Sequence, residues 1–244
     1  MKFKILCHKC YSENLEVNLE SDLWISEDDL YQFTCIRGHK NLVELQAFKF
    51  ELLFESGLCA IRDKYYMECV LSITAAIERF YEFFIKTILR FQKHDEDSIE
   101  SSFKSLSRFS ERQLGAFSIL YFQTFREIPP ALKPTSVEFR NKVVHQGYIP
   151  NKNQVMEYAE DVYHTIKKPY LKLLTNYHPT IMKQQLDLKR ARREKYKKLI
   201  SESNISIIGI APTLTLTHIL TNEGFEKLSF KESFNTLVKN GLYL

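Results

Sequence analysis

Cys7-His8-Lys9-Cys10 and Cys35-Ile36-Arg37-Gly38-His39 give a C-x2-C pair and a C-x3-H pair with 24 residues between them. A tetrahedral zinc site needs four soft or borderline ligands, and two tight turns that each offer two are the commonest way to supply them. Cys7, Cys10, Cys35 and His39 are the expected set. Gly38 lets the backbone of the second turn fold its ligands inward. His8, held between the paired cysteines, is a poorer ligand. The plain alternative is a group of buried thiols with no metal. A closed four-ligand site leaves no open position for water, so the expected ion is a structural Zn2+ and no catalytic metal is expected. Cys59 and Cys69 fall inside expected helices with no partner nearby and read as core residues.

The second chemical segment is Arg140-Asn141-Lys142-Val143-Val144-His145, of the form R-N-x3-H. Thr135-Ser136-Val137-Glu138 fits a capping box before it, and Gly147 followed by Pro150 supplies a stop after it. These signals frame a helix of about three turns. In this setting the segment resembles the signature of the HEPN superfamily: an Arg, a polar residue just after it, and a His further along a helix within a bundle. The resemblance implies a metal-independent endoribonuclease, leaving 2′,3′-cyclic phosphate and 5′-hydroxyl ends and acting as a homodimer with a composite active site. It also implies service as a toxin or in anti-phage (antiviral) defence, with an antitoxin or other regulatory partner. HEPN helices often place an acid near the motif, which singles out Glu78 in Thr74-Ala75-Ala76-Ile77-Glu78-Arg79-Phe80. A surface Glu78 paired with Arg79 is the ordinary alternative. A non-catalytic HEPN module that binds RNA, nucleotide or a protein partner is the rival reading, and a zinc-ribbon adaptor whose helices assemble subunits is a third.

The side chains are suited to this chemistry. RNA carries its own nucleophile, the 2′-hydroxyl, so cleavage needs a base, an acid for the leaving 5′-oxygen, and a cation for the phosphorane charge. Histidine, with an ordinary pKa near about 6.5, can take either proton-transfer role. Arginine presents a planar fork matched to two phosphate oxygens. Asn141 and His145 are four apart and stack on one helix face, so the amide can orient the imidazole or hold substrate. Arg140 and His145 are five apart and diverge by about 140° around an ideal helix. Arginine length, or a second copy of the chain, must bring them together. In the last helical turn the carbonyl ends favour imidazolium, which suits His145 as general acid. The ordinary alternative pairs Arg140 with Glu138 on a solvated face.

The third group is basic. Lys189 to Lys198 holds seven Lys and Arg residues, among them Lys189, Arg190, Arg192 and Arg193. With Lys142 they are the expected RNA contacts, able to follow phosphate without choosing sequence. An ordinary solvated helix accounts for the same charges. The net charge of +4 is too mild to name a partner.

Hydrophobic residues make up 44% of the 244 residues and charged residues 26%, the balance of a globular protein. With 18 Phe and 13 Tyr but only 7 Gly and 7 Pro, long helices are favoured over a turn-rich β fold. Apolar residues recur at helical spacing from Phe48 to Ile61, from Tyr65 to Phe91, from Leu114 to Phe125, and from Val155 to Leu173. His178-Pro179 punctuates this last helix before the basic segment. Ile205–Ile210 and Leu214–Leu220 read as a C-terminal β-hairpin. The expectation is a mainly α protein: a zinc-ribbon-like module over 1–42, a HEPN-like helical bundle over 43–178, and a basic helix with hairpin over 179–244. No apolar run approaches the roughly 18 residues of a membrane span, and the N-terminus does not read as a signal peptide. The expected location is cytoplasmic, with reduced cysteines and no membrane partner.

Overall fold

The computed structural model describes residues 2–13, 20–24, 26, 30–45, 47–201, 206–210, 230–231 and 234–235. The chain is mainly helical. Its N-terminal part contains β1 (Lys2–Leu6), α1 (His8–Ser12), β2 (Glu20–Trp24), β3 (Leu30–Thr34) and β4 (Lys40–Leu45). Next come α2 (Lys49–Arg62), α3 (Tyr66–Phe91), α4 (Glu96–Leu106), α5 (Ser110–Phe125), α6 (Pro134–Gln146), α7 (Lys152–Lys195) and α8 (Lys197–Ser201), then β5 (Ser206–Ile210).

β1 and β2 pair antiparallel, with Lys2 opposite Trp24. β3 and β4 form a second antiparallel pair, with Leu30 opposite Glu44 and Thr34 opposite Lys40. β5 lies along β4 in parallel, from Asn41 opposite Ser206 to Leu45 opposite Ile210. This corrects the C-terminal hairpin reading at its first strand, because Ser206–Ile210 completes the N-terminal sheet. Its anticipated partner over Leu214–Leu220 lies outside the described residues. Leu42, Val43 and Leu45 are buried. A strand that is apolar on consecutive residues needs cover on both faces and gains from a neighbour at its open edge.

The helical core is built around α3, whose Val70, Ile73, Ile77, Phe80, Phe84 and Ile88 follow the helical period and are all buried. α2 packs along one side and α5, α6 and α7 around the rest. The aromatic composition is spent here. Phe84 meets Phe117 of α5 with ring centroids 4.9 Å apart, and Phe50 of α2 meets Phe80 at 5.4 Å and Tyr170 of α7 at 5.6 Å. The expected apolar face of α7 is the buried one: Val155, Tyr158, Ala159, Val162, Ile166, Tyr170 and Leu173. Asn151 starts this helix by accepting from the Gln154 N–H (3.1 Å), and the Gln154 side chain accepts from the Asn151 N–H (3.0 Å). Pro179 does not end α7. The helix continues through it with a kink at Tyr177, whose φ of −130° is non-helical, because proline removes one backbone donor and crowds the turn before it. Among the described residues, no helix is long and apolar enough to cross a membrane.

Candidate functional site

The spaced ligands meet. Cys7 lies between β1 and α1, Cys10 inside α1, Cys35 at the end of β3 and His39 at the start of β4. Their ligand atoms all fall within 4.8 Å of one another. The Cys10 and Cys35 sulfurs are 3.8 Å apart, and His39 Nδ1 lies 3.2 Å from Cys10 Sγ and 3.7 Å from Cys7 Sγ. Zinc bonds of standard length set tetrahedral edges of about 3.8 Å between sulfurs and about 3.5 Å between sulfur and nitrogen. The cluster therefore fits a tetrahedral metal such as zinc. The turn between β3 and β4 is held by Cys35 N–H donating to the His39 carbonyl (3.0 Å) and Gly38 N–H to the Cys35 carbonyl (2.8 Å), with Gly38 at φ +81°. His8 is exposed and is not part of the cluster.

Sequence reasoning missed Asn41. It is 1% exposed, and its Nδ2 donates to Cys7 Sγ (3.4 Å) and to the His39 carbonyl (3.0 Å). An amide donor on a ligating thiolate fixes it and delocalises its charge. Burial raises the Cys7 thiol, but the Cys10 N–H, Asn41 and His39 outweigh it and bring Cys7 down to about 6. Cys10 goes the other way, pushed up to about 11 by burial and by its Cys7 and Cys35 neighbours. The only signal for Asn41 in the sequence was its place two residues beyond His39.

The Arg-Asn-Lys-Val-Val-His segment lies on α6, although not as the capping box would have it. The helix starts at Pro134, with Lys133 before it making no side-chain cap, and proline at the first helical position gives up a donor that had no partner there. The Lys133 N–H donates instead to Asp161 Oδ2 of α7 (2.9 Å). The C-terminal stop is as expected: Gly147 adopts φ +68°, and the Tyr148 N–H returns to the Lys142 carbonyl (3.1 Å).

Within α6, Val143 is buried, Arg140 and Asn141 are partly buried, and Lys142 and His145 are exposed. Arg140 runs into the seam between α3 and α7. Its Nε is enclosed with no hydrogen-bond partner, and its charge acts on Glu78 and Tyr81 of α3 and on Tyr158 of α7. Glu78 is thus an acid within electrostatic reach of Arg140. Burial pushes its carboxyl above the usual range, Arg79 and Arg140 pull it down, and Glu111 pushes it up. His145 stands at the exposed end of α6, on a different side of the helix from Arg140.

Beside this helix lies an open groove of about 420 Å³. Glu138, Phe139 and Lys142 line it from α6, Tyr148 from the turn, and Glu157 and Tyr158 from α7. Of the anticipated site residues it takes in Lys142 alone.

The basic residues divide. Lys189 is partly buried, and Arg190 is exposed 3.7 Å from Asp187. Arg192 donates to the Leu45 carbonyl of β4 (2.5 Å), and Arg193 lies 3.6 Å from Glu44, which is 2% exposed. These last two tie α7 to the sheet. No protein-family model, curated protein or solved structure matches the chain.

Proposed function

We propose that this chain is a metal-independent endoribonuclease of the HEPN class, acting as a homodimer in toxin or anti-phage defence, with an antitoxin or similar partner restraining it. The observation that carries the reading is α6 itself. One rigid helix holds Arg140, Asn141 and His145, with the Glu78 carboxyl in electrostatic reach of Arg140 and the His145 imidazole open to solvent. His145 moves the proton, either from the attacking 2′-hydroxyl or to the leaving 5′-oxygen. Arg140 supplies the cation for the phosphorane, and Glu78 positions it. Asn141, one turn before His145, orients the imidazole or the phosphate. Because Arg140 and His145 leave the helix in different directions, the two groups that meet one linkage come from facing copies of α6. Lys142, Lys189 and Arg190 draw the phosphate backbone, and the Cys/His cluster holds a structural ion away from the chemistry.

The test is incubation of the purified protein with labelled RNA in mild chelator, beside Arg140→Ala and His145→Ala. The reading expects cleavage in chelator, cyclic phosphate ends, and a loss of at least about a hundredfold in each variant. Mixing the two inactive variants restores part of the activity if one site takes its Arg and His from different copies. Activity retained in His145→Ala would sink the proposal.

A second reading is favoured by the enclosed Nε of Arg140, which is better placed to brace α6 than to reach a phosphate. On that reading the chain is a non-catalytic module that binds RNA, nucleotide or a protein partner. RNA binding without cleavage on any substrate would select it.

A further inference from the structure

We infer that the groove between α6 and α7 is a nucleobase pocket selective for guanine, placing a guanosine next to the linkage that His145 acts on. The inference rests on reading the chain as one that acts on RNA, and adds the base that it selects.

The groove's size, about 420 Å³, lies in the range of small-ligand sites, about 300–1,000 Å³. Its walls are chemically uneven. Phe139 is one aromatic of the lining, its ring 5.7 Å from Tyr158 and 6.5 Å from Tyr148. Tyr148 forms the lip. It is 40% exposed, so burial does not hold it, yet its hydroxyl lies 3.1 Å from Gln154 Oε1 and 3.0 Å from Gln154 Nε2. Gln154 is itself fixed by the cap of α7. An exposed ring clamped by its hydroxyl is a stacking platform with little entropy left to lose.

Two carboxylates, Glu138 of α6 and Glu157 of α7, are among the residues that line the groove. They repel phosphate, so the groove does not take the backbone. A carboxylate accepts, and among the four bases guanine offers two adjacent donors, N1–H and the N2 amine, that match its two oxygens. Adenine turns a ring acceptor to the same place. Lys142 also lines the groove, and His145 follows it by about one turn along α6. With guanine seated on Tyr148, Lys142 is the cation of the lining that can take its phosphate, and His145, further along α6, is the side chain that can meet the next linkage. Glu138 is free for this task because Pro134, not a capping box, begins the helix.

The experiment uses full-length His145→Ala protein, so that RNA survives the titration, and follows the anisotropy of a short fluorescent oligouridylate carrying one guanosine. Counterparts carry adenosine or inosine, the latter keeping N1–H and lacking the N2 amine. Guanosine is expected to bind about tenfold tighter than adenosine, with inosine between them. Adding Glu138→Gln and Glu157→Gln together removes the preference, and Tyr148→Ala weakens guanosine binding; unchanged circular dichroism checks that these exposed changes leave the fold intact. Equal affinity for the three oligonucleotides, no binding of any, or a preference that survives the double variant overturns the pocket. The nuclease reading is judged separately on wild-type protein. Cleavage without guanosine preference leaves the nuclease and removes the pocket, while preference without cleavage keeps the pocket and removes the nuclease.

Discussion

Glu51 carries a charge decision that its neighbours make for it. It is buried in α2, and burial pushes its carboxyl up to about 8, with the Phe48 N–H (2.9 Å) and Tyr170 pulling the other way. The folded state thus keeps a proton that the unfolded chain gives up near about 4.5. Between those two values the folded state binds more protons, so stability falls as pH rises from about 4.5 through about 8 and is fully present only below that window. Glu51→Gln keeps an acceptor for the Phe48 N–H and has no proton to lose. Thermal unfolding at several pH values should therefore fall less steeply in the variant, the gap reaching a few kcal/mol at most. Parallel pH profiles for the two proteins would mean that Glu51 is not the group responsible. Cys7, Cys10, Cys35 and His39 are legible because a ligand set announces itself by residue type and spacing. The enclosure of Arg140, the burial of Glu78 and the company of Asn41 are not, because each depends on side chains brought from distant segments.

Among the helices, α2 and α3 approach each other closely at Gly57. A Cβ placed there would come within 2.4 Å of Ile73 Cγ1 and 3.4 Å of the Cys69 carbonyl, and Ile73 is fully buried with nowhere to move. Alanine would gain about 1 kcal/mol of helix propensity over glycine. Overpacking costs about 1–3 kcal/mol, so Gly57→Ala should be net destabilising, read as a lower urea midpoint at unchanged slope. A raised midpoint would mean that the two helices part at no cost. Element identity was readable wherever an apolar period ran long: α3, apart from the exposed Tyr65 and Phe91 at its two ends, and the first half of α7 bury the residues that their spacing marks. Boundaries were harder. Asp95 caps α4 by accepting from the Ser98 N–H (2.9 Å), so that helix opens earlier than its apolar residues suggest. α6 opens on proline, with the preceding N–H satisfied by Asp161, a partner from α7 that no local pattern reveals. The parallel seat of β5 beside β4 is likewise invisible locally, because a run of Ile reads the same whether its neighbour is adjacent or 165 residues away in sequence.

At the scale of the whole molecule, β4 joins what the sequence divides. One end of β4 begins next to His39, its edge carries β5, and its far end is gripped by α7 through Arg192 on the Leu45 carbonyl and Arg193 beside Glu44. Glu44 is buried, so its charge has to be compensated from within the fold, and Arg193 is a cation that reaches it. A metal at Cys7, Cys10, Cys35 and His39 would hold the turn from which β4 departs, and its binding energy would be felt along the strand. One ion per chain is expected by elemental analysis, lost in a Cys10→Ser, Cys35→Ser double variant. Hydrogen exchange after metal removal should then show 41–45 and 190–195 losing protection together, while α3 around Phe80 and Phe84, packed in the separate hydrophobic core of the helices, keeps its own. Loss confined to 41–45 would mean that the two arginines follow the strand without bracing it. Joint loss would make the sheet and the last turns of α7 a single cooperative unit, with the charged end of α7 set by the metal rather than by the helical core.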